Sequence, residues 1–188
     1  MFLGLGRQAA WRIVVAGVVI ASVWLGSPVR GFAQSTPQAQ THLYVLLGFG
    51  DMSPGLREFG AKMQKRGIPT TVGSYTAWEA LTKQAAREYQ SGHAILIVGH
   101  SAGGAAGMVM AAKLGDAGIP VRLLVTLAPW TELKVSSNVR QSVNIVPTGY
   151  ENHFTVILAH ERELTRYVMA AVGRRNAADK DKMQNAAQ

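Results

Sequence analysis

No cysteine occurs among the 188 residues, which excludes a disulfide and any thiolate metal site. Acidic side chains are few, 11 against 19 lysines and arginines, for a formal charge of +8. Aromatic residues make up 7% of the chain and do not interleave with the basic ones. No basic stripe or binding motif for nucleic acid emerges, so the basic residues read as solvated faces with some attraction to anionic, membrane-like surfaces. Long apolar runs are missing as well. The stretch Ile13 to Gly26 holds 14 residues, short of the roughly 20 that span a bilayer. No spacing of ligating residues calls for a metal, and no motif calls for a cofactor.

What that first segment has is the anatomy of a secretory signal. Arg7 and Arg12 precede the apolar run, Pro28 breaks it, and Gly31-Phe32-Ala33 supplies small residues at −3 and −1 of a cut before Gln34. Without an Arg-Arg pair the expected route is general export. The alternative is an uncleaved anchor in the inner membrane. Cleavage would leave 155 residues, with 16 basic and 11 acidic side chains. That is one domain with enough length for a real core. Export to the periplasm or beyond is compatible with the missing cysteine.

The expected organisation is a signal at 1–33, a linker at 34–41, one α/β domain at 42–172 and a flexible polar tail at 173–188. Strands are expected over His42–Leu47, Thr70–Tyr75, Ala94–Val98, Val121–Leu127 and Ser142–Val146. Helices are expected over Pro54–Arg66, Thr76–Tyr89, Ala102–Leu114 and Glu161–Val172. Gly67 and Gly115 read as helix ends, and Thr76 with Glu79 as a capping box. Five strands joined by helical crossovers imply a mainly parallel sheet flanked by helices, with ligands at the carboxyl ends of the strands.

One segment carries chemistry. The apolar strand before Gly99-His100-Ser101-Ala102-Gly103 runs directly into a small-residue helix. Gly-x-Ser-x-Gly between a strand and a helix forms a sharp elbow that exposes the serine hydroxyl. Ser101 is the expected nucleophile, and it needs a base to take its proton. His153, in the loop after the last strand, is favoured over His160. His42 and His93 stand at strand entries, the wrong end. The backbone N–H groups of Ala102 and Phe49, with Gly50 the other choice for the second donor, are expected to face a developing oxyanion. Trp130 and His100 are assigned to the substrate pocket, with Phe49 a further candidate; Trp78 reads as core packing.

Three stretches together resemble the thioesterase-type α/β-hydrolases: Gly99 to Gly104, Lys113 to Val121, and Asn152-His153-Phe154-Thr155-Val156. The resemblance covers roughly Leu43 to Val172. It implies a minimal α/β-hydrolase fold and a serine hydrolase acting on small acyl esters or thioesters, with Ser101 as nucleophile and His153 as base. One departure stands out. The strand after the elbow helix, which in that family usually ends in Asp-Pro with the Asp as triad acid, here ends in Ala128-Pro129-Trp130. Glu132 is the replacement chosen for the acid, with Glu151 and Asp51 as other candidates. Only Thr131 to Gln141 is available for a lid, so no large lid is expected. Export disfavours coenzyme A and carrier-protein thioesters, leaving carboxylic esters as the favoured substrates. The competing expectation, motivated by Ala128, is a non-catalytic binding or scaffold protein on a decayed hydrolase fold.

Overall fold

The computed structural model describes residues 40–131 and 134–186, and for 174–186 the backbone alone. The proposed signal, most of the linker, and Glu132 lie outside the described residues. Among those described, no helix is long and apolar enough to cross a membrane.

Strands β1 (Thr41–Leu47), β2 (Thr70–Ser74), β3 (Ala94–His100), β4 (Val121–Leu127) and β5 (Ser142–Ile145) form one sheet in the order 2-1-3-4-5. Every adjacent pair is parallel. This is a five-stranded, all-parallel sheet flanked by helices, the minimal α/β-hydrolase architecture. Strands β1 and β3 are buried along their whole length, because helices cover both faces. One face gathers Leu43, Val45, Leu96, Val98 and Val125 with Phe59 and Met63 of α1 (Leu56–Lys65) and Leu164 and Val168 of α5 (Glu161–Ala186). The other gathers Tyr44, Leu46, Ile95 and Ile97 with α2 (Trp78–Gln90) and α3 (Ala102–Asp116). Trp78 packs against this second core, as expected. A register shift opposite Ile95/Leu96 skips Arg122, which is why Val121 and Leu123 face opposite cores.

Chain direction reverses its progress across the sheet after β2. The chain steps outward from β1 to β2, then returns to place β3 on the other side of β1. The carboxyl ends of β1 and β3 are therefore neighbours whose following helices, α1 and α3, depart to opposite faces. Such a divergence marks the place where α/β sheets bind ligands.

Several expected boundaries moved. Residues Tyr75–Ala77 form a short 3-10 turn, so α2 begins at Trp78 with no side-chain cap. Thr76 Oγ1 donates to Ser74 Oγ at 3.3 Å instead of closing a capping box. Helix α3 runs through Gly115 to Asp116, and the glycine that ends it is Gly118. Gly118 has φ +70°, and Ile119 N–H and Gly118 N–H return to the carbonyls of Leu114 and Gly115. This Schellman arrangement needs its left-handed residue just past the cap. Gly115 serves packing instead, since a Cβ there would lie 2.9 Å from the Asn138 side chain. A short helix α4 (Val156–Ala159) precedes α5, and α5 continues past Val172 to Ala186. Gly173 does not stop it, because Ala, Arg, Lys, Gln and Met follow and no proline intervenes.

Candidate active site

Ser101 stands between β3 and α3 with φ +56° and ψ −124°. A side-chain-bearing residue in that region is strained and persists only where its surroundings over-determine it. They do so here. Ser101 N–H donates to the Leu127 carbonyl at 2.9 Å, and Ser101 C=O receives Trp130 N–H at 3.2 Å and the amides of Gly104 and Ala105 in α3. The flanking glycines are required by space. A Cβ on Gly99 would sit 2.2 Å from the Gly103 carbonyl oxygen, and one on Gly103 would sit 2.2 Å from that of Leu46. Among the described residues, non-glycine positive φ occurs at Asp51, Ser101 and Ala128, following β1, β3 and β4. The backbone strain thus collects at one end of the sheet.

His153 Nε2 lies 2.9 Å from Ser101 Oγ. The loop that delivers it is fastened locally. Asn152 Oδ1 accepts from Phe154 N–H at 2.9 Å and Thr155 N–H at 3.1 Å, while Thr155 Oγ1 accepts from Asn152 N–H at 2.8 Å. This reciprocal turn places His153 in the turn that leads into α4. It is fastened again from below by His100, whose Nε2 is 2.8 Å from the His153 carbonyl oxygen. The two rings pack with centroids 4.9 Å apart.

His100, assigned from sequence to the pocket, has no exposed surface at all. Its Nδ1 is 2.9 Å from Ser53 Oγ, so both ring nitrogens are engaged. It supports the site from beneath rather than lining an opening. Burial holds its pKa below the ordinary histidine value, opposed by the bond to the His153 carbonyl. Ser53 is itself buried and pairs with this histidine away from solvent. Sequence reasoning missed Ser53: a serine before Pro54 reads as a helix cap, and nothing local announces a partner 47 residues away.

Phe49 begins a short 3-10 turn and Ala102 begins α3, so neither N–H has an acceptor within its own helix. Gly48 N–H is committed to Ser53 Oγ at 2.8 Å. Gly48 also lies close under the elbow, since a Cβ there would be 3.1 Å from Ser101 Cβ. The loop after β1 therefore runs directly against Ser101. Around it the aromatic residues are open to solvent. Phe49 is 56% and Trp130 64% exposed, with ring centroids 6.0 Å apart, and Tyr75 lies 6.2 Å on the other side of Phe49. Phe154 meets His153 edge to face.

The expected acids fare differently. Asp51 pairs with Arg57 at 3.0 Å. Glu151 is bound to His160 Nε2 at 3.0 Å and to Thr148 N–H and Oγ1. Neither touches His153, and Glu132 lies outside the described residues. Ala128, where the resemblance puts an aspartate, is buried at the end of β4 with φ +42°. His160 also binds Glu163, and the two carboxylates, Glu151 first, raise its pKa. The bond to His160 in turn lowers both carboxylates. His42 and His93 meet Glu88 at the amino end of the sheet, far from Ser101 along the strands. Among the described residues no cluster is arranged to hold a metal.

A family model for the α/β-hydrolase fold matches residues 69–182, more than half of the chain, including both Ser101 and His153. The chain belongs to the α/β-hydrolase fold family. That membership supports a hydrolase, and the strained elbow at Ser101 lies within the matched residues. No curated protein matches the chain.

Proposed function

We propose that this hydrolase is an exported serine esterase that cleaves small carboxylic esters, or the corresponding thioesters, with an apolar acyl group. The observation that carries the reading is the 2.9 Å approach of His153 Nε2 to Ser101 Oγ on a strained elbow. His153 Nε2 takes the hydroxyl proton as Oγ bonds to the acyl carbon, and the carbonyl oxygen becomes an oxyanion. The N–H groups of Ala102 and Phe49 receive that charge. As the C–O bond to the alcohol breaks, His153 Nε2–H protonates the departing oxygen. Water then gives a proton to His153 and attacks the acyl-Ser101 ester, releasing the acid and restoring the serine. Phe49, Trp130 and Tyr75 favour an uncharged, apolar acyl chain, because the rim they form offers area and no counter-charge.

The test is a fluorophosphonate applied to the purified chain, with the adduct located by peptide mass spectrometry. We expect the adduct on Ser101 and its loss in His153→Ala. Turnover of p-nitrophenyl butyrate in Ser101→Ala should fall by about 10³-fold or more. A folded, unlabelled protein with no ester turnover would instead support the binding-scaffold reading that Ala128 motivates. Protein recovered from the producing cell with Gln34 at its amino terminus is the expected sign of export.

A further inference from the structure

A buried chain of hydrogen bonds crosses beneath the elbow, and its direction follows from the atoms in it. The His153 carbonyl has no hydrogen to give, so His100 Nε2 carries the proton and donates at 2.8 Å. In the neutral ring Nδ1 then offers a lone pair, so Ser53 O–H donates to it at 2.9 Å. Ser53 Oγ in turn accepts Gly48 N–H at 2.8 Å. Each group is used in the one role that the next allows. The chain begins on the loop that bears Phe49 N–H, passes through the residue next to the nucleophile and ends on the main chain of the base.

We propose that His100 is a positioning residue: it holds the main chain of His153 in place and, through Ser53, ties the base to the oxyanion loop. The proposal rests on the hydrolase reading above. It explains how His153 is held although, among the described residues, no carboxylate bonds to its ring. The ring itself is aimed at Ser101, and His100 anchors the main chain from which it projects. The 4.9 Å packing of the two rings restricts the remaining rotation. A base displaced by about 1 Å costs on the order of 10²-fold in rate, so a grip on its backbone has kinetic consequences.

The two amide substitutions separate the arms of the histidine. His100→Gln keeps an N–H donor at the distance of Nε2, and His100→Asn keeps a polar atom only at the distance of Nδ1. We expect kcat for p-nitrophenyl butyrate to stay within about threefold of wild type in His100→Gln and to fall about 10- to 100-fold in His100→Asn, with KM unchanged in both. Equal losses in the two, or a change in KM in place of kcat, would overturn the proposal. Should either variant fail to melt cooperatively, Ser53→Ala carries the test: it leaves the Nε2 bond to the His153 carbonyl in place, so kcat within about threefold of wild type is expected, and a fall of about tenfold or more would overturn the proposal. Nitrogen-15 spectra of histidine-labelled wild-type protein should show His100 as the Nε2–H tautomer, and an Nδ1–H tautomer would overturn the proposal without reference to activity. Failure of wild-type Ser101 to take the fluorophosphonate would count against the hydrolase reading alone, while the tautomer still decides the grip on His153.

Discussion

At Gly103 the fold and the chemistry compete for the same volume. A methyl group there would enter the Leu46 carbonyl at 2.2 Å, and the neighbouring Leu47 oxygen is 2.7 Å away. Backbone cannot yield as a flexible side chain can. Gly103→Ala should therefore cost about 3 kcal/mol, read as a lower urea midpoint at unchanged m. Part of this residue scale was legible in the chain. The need for glycine on both sides of Ser101 follows from the tightness of a strand-to-helix elbow, and the departure at Ala128 was visible as a letter. The pairing of His153 with Ser101 was expected from its place in the loop after the last strand, since chain order alone left His160 open as well. What could not be read was Ser53, because its partner is distant in sequence. His100 was assigned to the pocket although a histidine inside an elbow more often packs and hydrogen-bonds, and its full burial emerges once the strand it ends is placed.

The loop from β5 to α5 is an element held by ions as well as by turns. Glu151 and Glu163 grip His160 from two sides, and the first of them also holds Thr148. The raised pKa of His160 means that its contribution to stability is complete below the unfolded value of about 6.5 and fades as pH rises through the higher folded value. The lowered carboxylates contribute above their own unfolded range, near 4.5, and lose that contribution as pH falls through their folded values. The clamp is therefore complete in mildly acidic solution. We expect the difference in melting temperature between wild type and His160→Gln to be largest between about pH 5 and 6.5 and to shrink toward alkaline pH. A difference constant across pH would mean that the contact is steric. Helix ends were the least legible feature at this scale. Gly67 was correctly read as the left-handed stop of α1. In α3 two glycines competed, and only the packing of Asn138 against Gly115 shows that Gly118 does the stopping. The 3-10 turn at Tyr75 displaced a capping box whose letters were all present, because a cap requires its residue to stand at the helix boundary and the boundary moved two positions.

Over the whole molecule, parallel strands send every site loop to the same end, and that end is rimmed by exposed Phe49, Met52, Trp130, Tyr150 and Phe154. Shared apolar rim should be felt by long acyl chains and not by short ones. Trp130→Ala is expected to raise KM for p-nitrophenyl hexanoate about tenfold, the loss of one partly buried aromatic contact, and to leave p-nitrophenyl acetate unchanged. Equal effects on both esters would place Trp130 outside the acyl site. The number of strands and their parallel direction were legible because apolar runs alternate with helical periods. The strand order was not, since crossovers alone leave open which side of β1 receives β3. That order has a consequence in time. The nucleophile is complete once β3 and α3 have formed, but its base comes with the edge strand β5, the last to join in chain order. A partly synthesised chain thus carries a serine with no partner. On the proposed mechanism reactivity is withheld until the sheet closes, and the fold itself acts as the timer.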